Sequence, residues 1–348
     1  MTDNGDIGRE LDRALEGHFT LSIPLHTDSP HRYIILSDQH KGAGDRADEF
    51  VLCKPAYHAA LDYYRESGYS LVLLGDVEEL WEQSFPAVER AHSDSLKKEA
   101  SFGPGRYFRI WGNHDDEWMV ERSVRRSLAP YMPTNAVYEG IRFEVLESGA
   151  SIGTVLLVHG HQGTFGSDKI KRISRWFLRI YRYVQRLTGI GQTTPSRDAC
   201  LRGQHDRIMY EWAASKERLI LIAGHTHRAV WSSQTHLQQL HVQRDRLFAM
   251  ERTDQVAVDL DRIDEEIRIR QDEHPPCNDT VKPQPAYFNT GCCKYSSGSI
   301  TGIEIEDGRI RLIRWGAQDL EREVLETADV ALLLDELGQK APASGGLS

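Results

Sequence analysis

Short apolar runs recur along the chain, and each breaks off at polar residues. They are Tyr33 to Leu36 before Ser37-Asp38, Leu71 to Leu74 before Gly75-Asp76, Tyr107 to Trp111 before Gly112-Asn113, Val155 to Val158 before His159, and Leu219 to Ala223 before Gly224-His225. Apolar runs of this length, bounded by glycine and polar residues, predict buried strands. Between the first two, Val51, Leu52, Tyr57, Ala60, Leu61 and Tyr64 recur at helical spacing and stop at Ser67-Gly68, so Phe50 to Tyr64 reads as a crossover helix. Further on, Ala286 to Asn289, Ser299 to Glu306 and Arg309 to Trp315 read as strands, the last two joined by a tight Asp307-Gly308 turn. The class is α/β with a β-rich C-terminal part, and the polar residues gather at the strand ends where open α/β sheets bind ligands.

Two segments interrupt this pattern. Residues 165–215 are helical in character and locally basic, a candidate cap. Residues 235–273 are highly charged, with periodic Leu240, Leu247, Val256, Leu260, Ile263 and Ile267 that predict a helical hairpin. Both read as insertions into a domain spanning 31–319, flanked by an N-terminal extension, 1–30, and a C-terminal tail, 320–348, whose Ala-Pro-Ala-Ser-Gly-Gly finish reads as disordered.

Composition narrows the partners. With 42 Lys plus Arg against 52 Asp plus Glu in 348 residues, the formal charge is −10, which argues against a nucleic-acid partner and requires any anionic ligand to meet a local basic patch. One such patch is Lys169 to Arg186, where Lys169, Lys171, Arg172, Arg175, Arg179, Arg182 and Arg186 alternate with Ile170, Ile173, Trp176, Phe177, Ile180, Tyr181 and Val184. It suits contact with an anionic membrane surface or a lipid-linked diphosphate; the alternative is a packed helix with a solvated face. No stretch approaches the roughly 18 uninterrupted apolar residues of a membrane span. No apolar leader opens the chain, so the expected address is the cytoplasm, with peripheral attachment to the inner membrane face. The five cysteines (Cys53, Cys200, Cys277, Cys292, Cys293) form no CxxC pair, which suits a reducing compartment.

The chemistry-bearing residues follow the strand runs: Asp38-Gln39-His40, Gly75-Asp76, Gly112-Asn113-His114-Asp115, His159-Gly160-His161 and Gly224-His225-Thr226-His227. Carboxylates, imidazoles and an amide suit divalent Mn, Fe, Zn or Co, which accept mixed nitrogen and oxygen shells. In a strand, residues two apart point to the same side, so Asp38 with His40, and His225 with His227, would each present a pair. Seven ligands exceed what one zinc takes but divide between two metals if a carboxylate, most simply Asp76, is shared.

The ordered series DxH, GD, GNHD, HG and GHTH resembles the calcineurin-like metallophosphoesterase superfamily, over Asp38 to His227. The resemblance implies two facing mixed β-sheets flanked by helices, with Asp38, His40, Asp76 and His227 on one metal and Asp76, Asn113, His159 and His225 on the other. It also implies hydrolysis of a phosphate ester or anhydride by a metal-activated water. Manganese is the expected metal. His114 would stabilise or protonate the leaving oxygen, with Asp115 or another carboxylate orienting it.

More narrowly, Gly75-Asp76-Val77-Glu78-Glu79-Leu80-Trp81, His159-Gly160, the basic insertion and Gly224-His225-Thr226-His227-Arg228 are similar to bacterial UDP-2,3-diacylglucosamine hydrolases. That resemblance implies a lipid-linked nucleotide diphosphate substrate. The chain departs from it at His114, where that family has Arg, and at His161, where it has Asp. The alternatives are a soluble phosphomonoester, phosphodiester or phosphoprotein, or a scaffold that has lost catalysis. Glu79, Trp81, His161, Arg175 and Arg179 are the candidate substrate contacts; Trp81 also reads as core, and His161 as a supporting residue. Asn289-Thr290-Gly291 reads as a turn, the alternative being backbone or side-chain contacts near the site.

Overall fold

The computed structural model describes residues 4–28, 31–132, 136–162, 199–235 and 284–339, together with individual residues between 244 and 267. The chain runs α1 (Asn4–Glu16), β1 (Thr20–His26), β2 (Tyr33–Leu36), α2 (Phe50–Glu66), β3 (Ser70–Leu74), α3 (Phe85–Ala100), β4 (Tyr107–Ile110), a 3-10 turn (Asp116–Met119) and α4 (Glu121–Ser127). It continues through β5 (Gly140–Glu147), β6 (Ala150–Val158), α5 (Ala199–Ser215), β7 (Leu219–Ala223), β8 (Ala229–Trp231), β9 (Gln234–Thr235), β10 (Tyr287–Thr290), β11 (Ile300–Glu306), β12 (Arg309–Trp315), β13 (Arg322–Asp329) and α6 (Val330–Gly338).

Two mixed sheets result, one of seven strands in the order β1-β5-β6-β7-β10-β8-β9 and one of six in the order β13-β12-β11-β2-β3-β4. The strand pleat sorts the core. Ile35, Val72 and Leu74 face the other sheet and share a core with Phe143, Val155 and Leu157. Across that interface the rings of Tyr33 and Phe143 lie 4.6 Å apart. The alternate residues Ile34, Leu36, Leu71 and Leu73 pack beneath Tyr57, Ala60, Leu61 and Tyr64 of α2 and Leu96 of α3. On the far side, α1, α5 and α6 bring Leu11, Trp212 and Leu334 to the seven-stranded sheet. The architecture is therefore helices, sheet, sheet, helices, as the sequence implied. Asp307 and Gly308 both take left-handed φ, 50° and 69°, which is what a two-residue hairpin between β11 and β12 requires.

Three boundaries differ from the sequence reading. Residues 1–30 are not a separate extension: Ile7, Leu11 and Ala14 of α1 are buried, and β1 pairs in parallel with β5. Pro24, which cannot donate to a ladder, is accommodated because β1 is an edge strand. At the other end, β13 pairs with β12, and α6 is capped by Asp329, whose carboxylate accepts from the Leu332 amide at 3.0 Å. Residues 340–348 lie outside the described residues. Both ends lie outside the run of strand-end motifs, and the signal that ties them to the domain is the helical spacing of Ile7, Leu11 and Ala14 and of Val330, Leu333, Leu334 and Leu337.

The third boundary is the cap. Its C-terminal part, residues 199–215, is the layer helix α5, tied to α1 by Trp212 Nε1 donating to Asp12 at 3.1 Å. Residues 163–198, including Arg175, Arg179 and the rest of the basic stretch, lie outside the described residues. In the charged insertion Leu247 packs on Ile263 and Ile267, apart from the main cores, and Arg244 lies 3.7 Å from Asp264; Leu240 lies outside the described residues.

Candidate metal centre

The expected ligands do not sit in strands. β2 stops at Leu36 and β7 at Ala223, and Asp38, His40, Asp76, His225 and His227 all adopt left-handed backbone, with φ of 55°, 47°, 51°, 68° and 57°. The two-residue alternation of a strand therefore does not create the pairs; consecutive left-handed turns do. These turns are held by backbone bonds that continue the β2–β3 pairing beyond the strands: Asp38 N to Gly75 O at 3.1 Å, His40 N to Asp76 O at 2.9 Å and Lys41 N to Val77 O at 3.0 Å. A third loop joins where Gly224 N donates to His159 O at 2.9 Å.

Two groups of ligand atoms form, each within 4.8 Å: Asp38, His40 and His227, and Asp76, His159 and His225. His225 and His227 therefore part company, contrary to the pairing expected of a strand. Asp76 stands between the groups, with Oδ2 3.5 Å from His40 Nε2 and 3.1 Å from His159 Nε2. Its other oxygen accepts from the His114 amide at 2.7 Å. Asp38 Oδ1 lies 3.2 Å from His227 Nε2, while Asp38 Oδ2 accepts from the His225 amide at 3.0 Å and from Ser37 Oγ. Glycine is required close by: a Cβ on Gly112 would stand 2.2 Å from Asp76 Oδ1.

Two buried ligand-type atoms lack a hydrogen-bond partner among the described residues, Asn113 Oδ1 and His225 Nε2, while Asp38 Oδ1 faces His227 Nε2 at 3.2 Å and His159 Nε2 faces Asp76 Oδ2 at 3.1 Å. Leaving such acceptors dry and unpaired costs about 1–3 kcal/mol each, so the chain is built to place something electropositive against them. His159 shows how the tautomer is set. Its Nδ1 is 2.8 Å from the Leu74 carbonyl, a contact that fixes a proton on Nδ1, so that in the neutral ring Nε2 carries the lone pair. The donor set, carboxylate and imidazole with one amide oxygen, fits divalent cations of the Mn, Fe, Co and Zn type.

Electrostatics divide that set. Burial opposes ionisation of Asp38 and Asp76, yet the surrounding imidazoles, His227 for Asp38 and His159 for Asp76 first among them, hold both well below the usual carboxylate range. Burial and Lys294 act against a proton on His40, but hydrogen bonds to Asp38 and Glu79 and the charge of Asp76 push it up to about 9. His159 reaches about 9 as well, burial being outweighed by Asp76, so without a cation both rings hold a second proton at neutral pH, which a metal ion would have to displace from Nε2. His225 and His227 go the other way, chiefly through burial, His227 to about 4. Both stay neutral, with a lone pair to donate.

The remaining candidates are distributed differently from the expectation. His114 is oriented not by Asp115 but by Glu79, whose Oε1 is 2.7 Å from His114 Nδ1 and whose Oε2 is 2.9 Å from His40 Nδ1. His40, Glu79 and His114 thus also bring ligand-type atoms within 4.8 Å of one another, but both contacts have hydrogen-bond lengths with Nδ1 as donor. Asp115 instead accepts from the backbone amides of Gly112 at 2.6 Å and Val77 at 2.8 Å, clasping the β3 and β4 loops together. Burial, with Asp76 and Glu78, pushes its carboxyl up to about 7.

Trp81 is no core residue: it is part-exposed and stacks on the His114 ring at 4.0 Å and 22°. His161 lies buried beside His159 and Trp111, ring centres 5.4 and 4.9 Å away, and enters none of the three groups found among the described residues. Asn289 and Thr290 belong to β10 and not to a turn. Asn289 Nδ2 donates to Gly224 O at 2.6 Å, and Thr290 Oγ1 lies 2.6 Å from Ser37 Oγ, so one strand braces two ligand loops. The sequence reading offered such contacts only as the alternative to a turn, and it missed His205, whose ring lies 5.3 Å from that of His225; a helical histidine has no strand-end signal to reveal it.

No family model and no curated protein sequence matches the chain. Among solved structures, it is similar to a conserved uncharacterized protein from Streptococcus pneumoniae TIGR4 described as a predicted phosphoesterase, at 12% identity over 86% of this chain and 96% of that one, TM-score 0.30. It is also similar to Vacuolar Protein Sorting 29 from Cryptosporidium parvum, at 12% identity over 86% and 98% of the two chains, TM-score 0.30. Neither likeness bears on what the chain does. What the fold and the site define by themselves is a two-sheet α/β protein with adjoining metal-capable groups at its strand ends.

Proposed function

We propose that the chain is a two-metal phosphoesterase, hydrolysing a phosphate ester or anhydride, with Asp38, His40, Asp76 and His227 holding one cation and Asp76, Asn113, His159 and His225 the other. The observation that carries this reading is the straddling position of Asp76 between the two groups, beside the unpartnered acceptors Asn113 Oδ1 and His225 Nε2. Two divalent cations, manganese first among the candidates, would neutralise phosphoryl oxygens and lower the pKa of a water that attacks in line. Glu79 fixes the Nδ1 protons of His40 and His114 at once, so that His40 turns Nε2 inward and His114 offers its far nitrogen to the leaving oxygen. Trp81 holds the His114 ring in plane from one face. Asp115 acts through the backbone, keeping the loops of Asp76 and Asn113 at a fixed separation.

A lipid-linked nucleotide diphosphate heads the substrate candidates on the strength of the sequence motifs, and a soluble phosphoester follows. Protein purified without chelator should hold about two equivalents of transition metal and hydrolyse bis(4-nitrophenyl) phosphate in a Mn-stimulated manner. Asp76→Asn should lose both together. Metal content below about one equivalent with no hydrolysis would overturn the reading and leave a non-catalytic scaffold. Release of uridine monophosphate from UDP-2,3-diacylglucosamine, measured beside a panel of soluble phosphoesters, decides between the substrate classes.

A further inference from the structure

Helix α5 reaches two of the ligand-bearing loops, and it does so with two adjacent residues. His205 Nε2 donates to the carbonyl of Gly160, the residue after His159, at 2.5 Å. Asp206 meets the other loop: its Oδ1 accepts from the hydroxyls of Thr226 at 2.9 Å and Tyr287 at 2.8 Å, and its Oδ2 lies 3.8 Å from Arg228 Nη1. One carboxylate therefore faces residues on both sides of His227, and Thr226 also adjoins His225. Asp206, Thr226 and Tyr287 are all buried.

The hydrogen bonds around Thr226 have fixed directions. Its one hydroxyl proton goes to Asp206, which leaves its lone pairs for Asn289 Nδ2 at 3.2 Å. Asn289 Nδ2 also donates to the Gly224 carbonyl at 2.6 Å, and the Thr226 amide donates to that carbonyl at 2.8 Å. A β-branched side chain bonded on two sides keeps one rotamer, so the backbone of residue 226 is pinned. On either side of it His225 and His227 take left-handed φ of 68° and 57°, and one imidazole goes to each ligand group. Asp206 itself enters none of the three groups found among the described residues.

We propose that Asp206 is a positioning residue of the metal centre: through the Thr226 hydroxyl it holds the turn that parts His225 from His227, so that the spacing of the two ligand groups is set from helix α5. The proposal rests on the two-metal reading. A buried carboxylate is costly, and an apolar side chain of similar volume fills a core as well or better, so stability alone gives no reason for Asp206. Fixing one arrangement of the turn does, because two imidazoles one residue apart serve two cations only while residue 226 stays put.

The test titrates the chelator-stripped chain with Mn and compares wild type with Thr226→Val, Thr226→Ser, Asp206→Ala and Asp206→Asn. Binding is read by calorimetry, the spacing of two bound Mn ions by their exchange-coupled signal in electron paramagnetic resonance, and folding by the urea midpoint. Thr226→Val keeps the shape and loses the hydroxyl. It should weaken at least one of the two Mn equivalents by about 10- to 100-fold and replace the coupled signal with that of isolated Mn. Thr226→Ser should retain wild-type binding and coupling. Asp206→Ala should behave as Thr226→Val does, and Asp206→Asn, whose amide oxygen still accepts both hydroxyls, should recover most of the loss. Wild-type affinity and coupling in Thr226→Val or in Asp206→Ala overturn the proposal whatever the urea midpoint, because the carboxylate then braces the core alone. A defect in Thr226→Ser as large as that in Thr226→Val overturns it too. A wild type with no second Mn equivalent, or with no coupled signal, overturns the two-metal reading instead.

Discussion

Left-handed backbone at Asp38, His40, Asp76, His225 and His227 costs each residue of order 1 kcal/mol, because a Cβ crowds the following carbonyl there. The cost persists where the surroundings over-determine it, and here the inter-loop backbone bonds do so. Its effect is to reverse the chain within two residues and bring three loops to one point before any ligand arrives. Glu79 completes that arrangement, because burial works against its charge yet His114 and His40 hold its carboxyl well below the usual carboxylate range. Glu79→Gln keeps the size but offers one acceptor oxygen for two Nδ1 protons. It should lower kcat about 10- to 100-fold or weaken metal binding by as much, with the urea midpoint little changed. Unaltered kcat and metal affinity would remove Glu79 from the mechanism. The structure groups Asp38 with His40 and His227, and Asp76 with His159 and His225, and the residue types that gather at the strand ends were legible in the sequence. The roles of Glu79 and Asp115 were not, because which carboxylate reaches His114 depends on how the β3 and β4 loops fold over each other, and neither motif spacing nor polarity encodes that.

At the scale of elements, the strands that lead to site residues are those the sequence revealed, since each ends in a short, mostly buried apolar run, broken only in β4 by Arg109. β5 has the plain alternation of Ile141, Phe143 and Val145, but no chemistry-bearing residue follows it. β13 shows no alternation at all in its burial. Helix α1 is the instructive case: among charged neighbours only Ile7, Leu11 and Ala14 are fully buried, yet they pack in the core with α5 and the seven-stranded sheet. Leu11→Ala should therefore cost about 2–5 kcal/mol in urea unfolding, as for any core leucine. A cost below about 0.5 kcal/mol, the ordinary surface value, would mean that residues 4–16 are a dispensable extension after all.

The molecule as a whole must keep several imidazoles neutral inside an acidic chain, and its stability should therefore respond to mild acid. His58 isolates one contribution away from the metal centre. It joins the two helices that cover the six-stranded sheet, its Nε2 lying 2.8 Å from Ser95 Oγ of α3. Burial, with Lys54 and Lys98 opposing Asp94, depresses it to about 4. In the unfolded chain the same group titrates near 6.5. Its folded-state pKa is thus the lower one, so the unfolded state takes up the proton first, and the stability due to neutral His58 is present above about 6.5 and lost as pH falls toward 4. His58→Gln retains an amide at the distance of Nε2 and cannot titrate. Urea midpoints of wild type and variant should run parallel at pH 7 and above, then diverge in the variant's favour from about pH 6.5 to 4.5, after both are corrected for any constant offset. Parallel midpoints through that window would mean that His58 is protonated in the folded state as readily as in the unfolded one, and that the α2–α3 contact does not exclude water.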